Sequence, residues 1–551
     1  MLYIIAIVKM KIVLRIFYHF RGRNVQMVIK DLIAPDVYNI TEELEKFSQD
    51  SERQAIRWLN TQQERQTVTY VELVQKMNQY ANAFTKKGLQ KGDRVLVIIP
   101  RLPEAYFVFL GCLKAGIVPI SCSEMLRASD LEYRMEHSSA SAVIAYEAFT
   151  SEVDKISSSV NTLKNKMVIG TATGDWSSLD ELASSQPNTF TAVATKRDDM
   201  AFLSYTSGTT GKPKGVVHSH GWGYAHIRTA AAQWLCVREG DLVWATAAPG
   251  WQKWIWSPFL STIMLGATAF VYHGGFDAKT YLRLLQDEKI NVLCCTPTEY
   301  RIMAKLENLK DYNLSSLRSA VSAGEPLNRP VIETFKNHFD LKVRDGYGQT
   351  ENTLLIGTLE NTELRPGSMG VPTPGNIVRI IDNEGNEAPV GEVGDIAIHK
   401  SSPALFKEYY REPERTQAAF RGEWYITGDQ AKCDEDGYFW FEGRGDDIII
   451  SSGYTIGPFE VEDALNKHDA VQECAVVAAP DEIRGHIVKA YVILRDGYKE
   501  HNEEELIKEL QEHVKALTAP YKYPRSIVFI DELPKTTSGK IRRIELRAAT
   551  V

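Results

Sequence analysis

The chain has 551 residues, 44% apolar and 24% charged, enough for several compact units with full cores and too evenly mixed for a disordered, collagen-like or multi-span membrane protein. Sixty-three basic against 71 acidic side chains leave a formal charge of −8, which disfavours nucleic acid or an anionic lipid surface as the main partner. Seven cysteines (112, 122, 236, 294, 295, 433 and 474) without a C-x-x-C pair form no visible disulfide framework or zinc site and fit a reducing cytoplasm.

Residues 1–26 carry Lys9, Lys11, Arg15, Arg21 and Arg23 and no acidic residue. The longest uncharged run, Met1 to Val8, falls short of the roughly 18 to 20 apolar residues of a membrane span, and its basic residues follow the apolar stretch instead of preceding it as in a signal peptide. We expect a non-native or disordered extension before a start at Met27, with an amphipathic surface helix as the alternative. From 30 to 440, strands are expected at Val95–Ile99, Ala142–Ala145, Met200–Tyr205 and Val292–Cys295 and a helix at Tyr281–Asp287. Such alternation implies α/β layers. Between Gly370 and Lys400 the turn pairs Asp382-Asn383 and Glu384-Gly385 separate Ile377–Ile381 from Gly394–His399, which suggests an antiparallel β subdomain. A boundary falls near 445: residues 27–445 form a large α/β domain, and 446–551 a small mobile α+β domain. The latter includes an amphipathic helix from Asn502 to Leu517, opened by an Asn502/Glu505 capping box and stopped before Pro520.

The most informative stretch runs Tyr205-Thr206-Ser207-Gly208-Thr209-Thr210-Gly211-Lys212-Pro213-Lys214-Gly215. Glycines let backbone N–H groups turn toward a polyanion, hydroxyls add donors, and Lys212 and Lys214 add charge, as holding a triphosphate or pyrophosphate requires. It is not a Walker loop, because Gly208 and Gly211 are too close and Pro213 stands where magnesium needs a hydroxyl.

This loop resembles the signature of the adenylate-forming superfamily, which includes acyl-CoA synthetases, luciferases and peptide-synthetase adenylation domains. Four further motif regions follow in that family's order: Gly324-Glu325-Pro326 with Asp345-Gly346-Tyr347-Gly348-Gln349-Thr350-Glu351; Tyr425 to Asp429; Gly443 to Asp447; and Pro534 to Ile541 with Lys540. The resemblance covers roughly residues 35 to 547 and implies ATP, Mg²⁺ and coenzyme A: an acid becomes an acyl-adenylate with release of pyrophosphate, and then a CoA thioester with release of AMP.

The resemblance also implies roles. Glu351 would ligate Mg²⁺ and Thr350 would reach the α-phosphate. Thr206, Ser207, Gly208, Thr209, Thr210, Gly211 and Lys214 would embrace the pyrophosphate. Gly324, Glu325, Pro326, Asp345, Gly346 and Tyr347 would wall the adenine slot beside Gln349, and Asp429 and Arg444 would hold the ribose. Lys540 would touch both the carboxylate and the bridging oxygen, staying charged. Rotation about Asp446 would then exchange the Lys540 loop for the CoA face at Ser452, Gly453 and Tyr454, with Tyr523 a further CoA candidate. Thr455 stands where medium-chain relatives often carry arginine.

Gly348 occupies the position of a tryptophan in acetate-specific relatives, so its small size is expected to open an acyl channel lined also by Trp251, Gln252 and Ala323, which Trp251 and Trp254 could partly refill. The segments 456–462 and 519–524 look most like medium-chain acyl-CoA synthetases, so medium-chain or short branched fatty acids are the expected substrates. The alternatives are activation of an aryl or amino acid or loading of another acceptor, and a non-catalytic nucleotide-binding protein. Amino acid loading is disfavoured because Ala247 to Trp254 offers no acidic residue for an α-ammonium and no carrier domain follows Val551. Nucleic acid and an integral membrane span are not expected. A homodimer is left open, as is an acyltransferase or deacylase acting on Lys540.

Overall fold

Short runs rich in Val, Ile and Ala are buried on both faces, as in Val118–Ser121 and Ala142–Tyr146, which is the pattern of parallel strands covered by helices on each side. The computed structural model describes residues 27–549 apart from 207–212, 326, 328, 446, 452–453, 482–484, 519 and 536–540. The extension expected at 1–26 lies outside the described residues.

Two mainly parallel sheets build the large N-terminal domain. In the seven-stranded sheet the order is Ser177–Ser178, Asn165–Ile169, Ala142–Tyr146, Arg94–Ile98, Val118–Ser121, Met200–Thr206 and Lys214–Ser219, and only the last is antiparallel to its neighbour. The nine-stranded sheet places Ser319–Ala323 beside Val343–Gly348, both parallel, with Leu354–Gly357 antiparallel beyond them. Helices Tyr70–Lys86 and Pro103–Lys114 share one apolar core with strands of both sheets, through Leu73, Met77, Phe109, Ile56 and Val95. The segments expected as strands are strands to within one or two residues. The expected helix begins earlier than Tyr281, at Ala278, because Asp277 accepts from the N–H of Thr280 and caps it there.

The expected β subdomain is present. Val378–Ile381 pairs antiparallel with Val393–His399, which pairs with Trp424–Cys433, which in turn pairs with Phe439–Arg444. In the C-terminal domain Val471–Asp481 and Gly485–Leu494 form a long antiparallel pair, with Ser526–Phe529 added in parallel. Helix Glu503–Leu517 packs Leu506, Leu510 and Val514 inward, and Asn502 accepts from the N–H groups of Glu504 and Glu505. Leu517, the last residue of the expected amphipathic helix, is 50% exposed because the helix ends there. All seven cysteines are free. Among the described residues no helix is long and apolar enough to cross a membrane.

Ligands of open parallel sheets bind beyond the carboxyl ends of the strands. Three motif segments lie at such ends: the phosphate loop after Met200–Thr206, Gly324 after Ser319–Ala323, and Gln349 after Val343–Gly348.

Candidate active site

Thr206 and Lys214 are cross-strand partners, as are Tyr205 and Gly215, so the residues flanking the phosphate loop form an antiparallel pair of stems. Residues 207–212, which include Ser207, Gly208, Thr209, Thr210 and Gly211, lie outside the described residues, but both stems are held. Tyr133 OH donates to Pro213 O at 2.8 Å, and His137 Nδ1 lies 2.8 Å from Tyr205 OH.

At the carboxyl end of the neighbouring sheet, Glu351 is buried and takes a short ion pair from Lys214 Nζ at 2.7 Å. Tyr409 OH donates to the same Oε1 at 2.9 Å and accepts from Lys214 Nζ at 2.9 Å. Lys214 and Glu351, both expected to face the phosphates, therefore meet, with a tyrosine beside them that the motifs did not single out. Among the described residues no group of three or more His, Cys, Asp or Glu forms a metal cage. The donor set fits a hard cation held by one carboxylate and completed by phosphate oxygens.

Two residues before Gln349, Tyr347 donates its hydroxyl to Asp429 Oδ2 at 2.6 Å, and Gln349 Nε2 donates to the same oxygen at 2.6 Å and to Thr427 O at 3.0 Å. Burial and the Asp429 carboxylate push the Tyr347 phenol up, so it remains a donor. Arg444 is the cross-strand partner of Asp429, so the two expected ribose residues are side by side.

Other expected residues take less direct places. Gly324 has φ +110° with open space where a Cβ would point, so glycine is required there for backbone conformation. Glu325 turns its carboxylate to Arg301 Nη2 and Thr298 Oγ1, each at 3.1 Å, and Pro326 lies outside the described residues. Asp345 is buried and accepts from the N–H groups of Gly346 at 2.8 Å and Leu327 at 3.3 Å, which ties the two walls of the expected adenine slot together. Burial raises its pKa to about 7. Thr350 offers its backbone carbonyl to His218 Nε2 at 2.7 Å.

The acyl side departs from the simple expectation. A Cβ added to Gly348 would lie 2.3 Å from the carbonyl oxygen of Thr353, so the missing side chain faces neighbouring backbone, not an open channel. Trp234 instead fills the apolar space behind the slot. Its ring lies across the cross-strand pair Gly346 and Gly357, where added Cβ atoms would meet it at 2.6 and 2.8 Å, and its Nε1 donates to Asp345 O at 3.0 Å. Ala323 belongs to the same apolar cluster. Trp254 is ordinary core, packed against Tyr106, Phe109 and Phe259. Trp251 precedes the short helix Gln252–Trp254 and is partly exposed. Gln252 Oε1 is bonded to Ser204 Oγ, while its Nε2 is buried without a partner. Replacing Gly348 with tryptophan is therefore expected to abolish pyrophosphate release with every acid instead of shifting preference to acetate, because the indole displaces Thr353 and with it the turn bearing Glu351; release assays with acetate and octanoate check this.

Lys540, Asp446, Ser452 and Gly453 lie outside the described residues, and of Tyr454 only the backbone is described, in the strand Tyr454–Ile456. Beside the expected hinge, Gly445 N donates to Gly428 O at 2.8 Å, and Asp447 pairs with Arg547 on the C-terminal helix. Tyr523 sits between two cations: Arg525 Nη1 donates to its hydroxyl at 2.7 Å, and Lys515 Nζ is 4.2 Å from its ring centre. The residues missed from sequence, Tyr409, His218, Trp222, His226 and Trp234, belong to no short pattern; the spacing His218, His220, His226 is their nearest signal.

These three histidines are buried and neutral, pushed down by burial to about 3, 4 and 4. Below pH ~6.5 the unfolded chain protonates them while the folded one does not, so stability falls with pH by about 1.4 kcal/mol per histidine per unit down to those values. Asp345, raised to about 7, takes up its proton earlier in the folded state and opposes this by one such increment. Urea midpoints are expected to fall between pH 6.5 and 4.5; a flat profile contradicts the burial of the three rings.

Comparison with known proteins decides the family. Residues 45–410 match the AMP-binding enzyme family, and 460–540 match the AMP-binding enzyme C-terminal domain. The chain belongs to the AMP-binding enzyme family. It is 57% identical to the uncharacterized acyl-CoA ligase YtcI of Bacillus subtilis (strain 168), over 94% of this chain and 97% of that protein. It is 41% identical to the human mitochondrial acyl-coenzyme A synthetase ACSM3, over 93% and 89%. The crystal structure of the anthranilate CoA ligase AuaEII with anthranoyl-AMP superposes with a TM-score of 0.87 at 30% identity, covering 95% of this chain and 99% of that one. Its activity class is that of AMP-forming acid–thiol ligases, which use ATP, Mg²⁺ and CoA.

Proposed function

We propose that this chain, an AMP-forming acyl-CoA ligase, activates medium-chain or short branched fatty acids, with the site residues in the following roles. One observation carries the assignment of roles: the single segment 345–351 presents a partly buried tyrosine and glutamine converging on Asp429 and, two residues on, a buried glutamate paired with the lysine that leaves the phosphate loop. Nucleoside and phosphate recognition would thus be carried by one short segment.

Tyr347 and Gln349 fix the plane of the Asp429 carboxylate, which accepts from the two ribose hydroxyls while Arg444 orients the sugar. Lys214 and the hydroxyls of the phosphate loop neutralise the pyrophosphate as it leaves. Glu351 would hold magnesium, which would supply divalent charge against the phosphates. The Gln252 Nε2 donor and the Gln349 Oε1 acceptor are buried without partners, and a buried polar group left unpaired costs roughly 1–3 kcal/mol, so both suit polar atoms of a bound adenylate. Lys540 bridges the attacking carboxylate and the α-phosphate. Domains of 27–445 and 446–551 hinge at Asp446, and the second brings Ser452, Gly453, Tyr454 and Tyr523 to CoA. The cations flanking Tyr523 suit the phosphates of CoA. Acylation of Lys540 would remove the charge the first step needs. We place the enzyme in the cytoplasm.

The chain-length reading is supported by the resemblance of segments 456–462 and 519–524 to medium-chain acyl-CoA synthetases and by the small side chains of Ala230 and Ala323 in the apolar cluster that holds Trp234. A pyrophosphate-release panel from acetate to laurate, with branched, aryl and amino acids included, tests it. kcat/KM is expected to rise by up to about four-fold per methylene, at ~0.8 kcal/mol each, to a medium-chain maximum. A maximum at acetate or at an aryl acid overturns the proposed substrate class.

A further inference from the structure

The turn between strands Val343–Gly348 and Leu354–Gly357 carries Glu351, and few of its polar groups are left to chance. Gln349 N donates to Asn352 Oδ1 at 2.8 Å. The Glu351 carbonyl accepts from Phe406 N at 2.7 Å. Besides the bonds of Tyr409 to Glu351 and of Gln349 to Thr427 and Asp429, three further grips come from one strand and the helix that continues it. His218, on strand Lys214–Ser219, meets Thr350 O at 2.7 Å; Trp222 Nε1 donates to Asn352 O at 3.1 Å; His226 Nδ1 meets Thr353 Oγ1 at 2.5 Å. The three rings are in contact, His218 to Trp222 at 4.3 Å and Trp222 stacked on His226 at 5.2 Å.

The partners set the tautomers. A carbonyl only accepts, so His218 carries its proton on Nε2, and its buried Nδ1 has no partner. His226 Nε2 faces Trp256 O at 3.0 Å and must also be protonated, so its Nδ1 accepts from the Thr353 hydroxyl. Burial keeps both rings neutral, so these contacts hold the turn without adding charge beside the phosphates.

Lys214 and His218 stand four residues apart on one strand and point to the same face. That strand therefore holds Glu351 by its carboxylate and the preceding residue by its backbone. We propose that His218, Trp222 and His226 are positioning residues that set the height of the Glu351 carboxylate relative to the phosphate loop, and so determine how the enzyme meets metal-bound ATP. The inference rests on the role proposed above for Glu351.

The full-length protein is compared with His218→Leu, which removes the donor, and His218→Gln, whose amide restores an N–H near the Nε2 position. Binding of Mn²⁺·ATP is read by electron paramagnetic resonance without acid, and KM for MgATP and for the acid by pyrophosphate release. His218→Leu is expected to weaken Mn²⁺·ATP binding and raise the MgATP KM by about ten-fold, with the acid KM within about two-fold, and His218→Gln to recover most of the loss. An equal rise in both KM values, unchanged Mn²⁺·ATP binding, or a glutamine variant no better than leucine overturns the proposal. Should His218→Leu not fold, Trp222→Phe keeps an aromatic ring, deletes only the Nε1 donor to Asn352, and is judged by the same split. A wild-type enzyme that binds Mn²⁺·ATP but releases no pyrophosphate with any acid refutes the functional reading, whereas the binding titration still judges the brace.

Discussion

Glu351→Gln is expected to slow pyrophosphate formation by about 10²–10³-fold, the scale of losing one preorganised electrostatic contact to a charged transition state. The amide matches the carboxylate in shape, so the Tyr409 hydroxyl keeps an acceptor, but Lys214 Nζ loses its counter-ion 2.7 Å away in a site where the glutamate side chain is 8% exposed. Excess Mg²⁺ should not restore the rate, since what is lost is a ligand charge and not occupancy alone. Thioester formation from supplied acyl-adenylate and CoA should stay within about three-fold of wild type, because no pyrophosphate leaves in that step. Rapid-quench assay of the two half-reactions separates the outcomes. Equal loss in both would make Glu351 a structural residue of the turn.

Lys540→Ala is expected to remove the first half-reaction almost entirely and spare the second, and bulky replacement of Gly453 by tryptophan to do the reverse. An ammonium that bridges the attacking carboxylate and the α-phosphate acts only while charge develops between them; a glycine that lets pantetheine pass close to the backbone matters only once CoA arrives. Adenylate formation and CoA consumption measured separately decide it, and parallel losses in both variants would refute a pocket that presents two faces of the C-terminal domain in turn.

Both expectations come from motifs legible in the chain itself. The composition of the Ser/Thr/Gly loop and its lysines suits an anion, the roles of the Gln349-Thr350-Glu351 run, Asp429 and the C-terminal lysine loop are what the family resemblance of their motifs implies, and α/β layering is written in the alternation of apolar bursts with amphipathic stretches. Local capping was legible as well: Asn502 caps its helix from the side chain, though the solvent-facing end at Leu517 was not.

What surrounds those residues is a different matter. Tyr409 bonds a carboxylate 58 positions away, His218 reaches a carbonyl 132 positions away, and Trp234 crosses a glycine pair more than a hundred residues downstream. No periodicity encodes such pairs, because each depends on how strands from distant parts of the chain are ordered in a sheet, and buried donors then bond whatever acceptor the packing delivers. Gly348 shows the limit most plainly: its identity is plain in the sequence, yet the direction its side chain would take, into the Thr353 carbonyl, exists only once Leu354–Gly357 has paired antiparallel beside it.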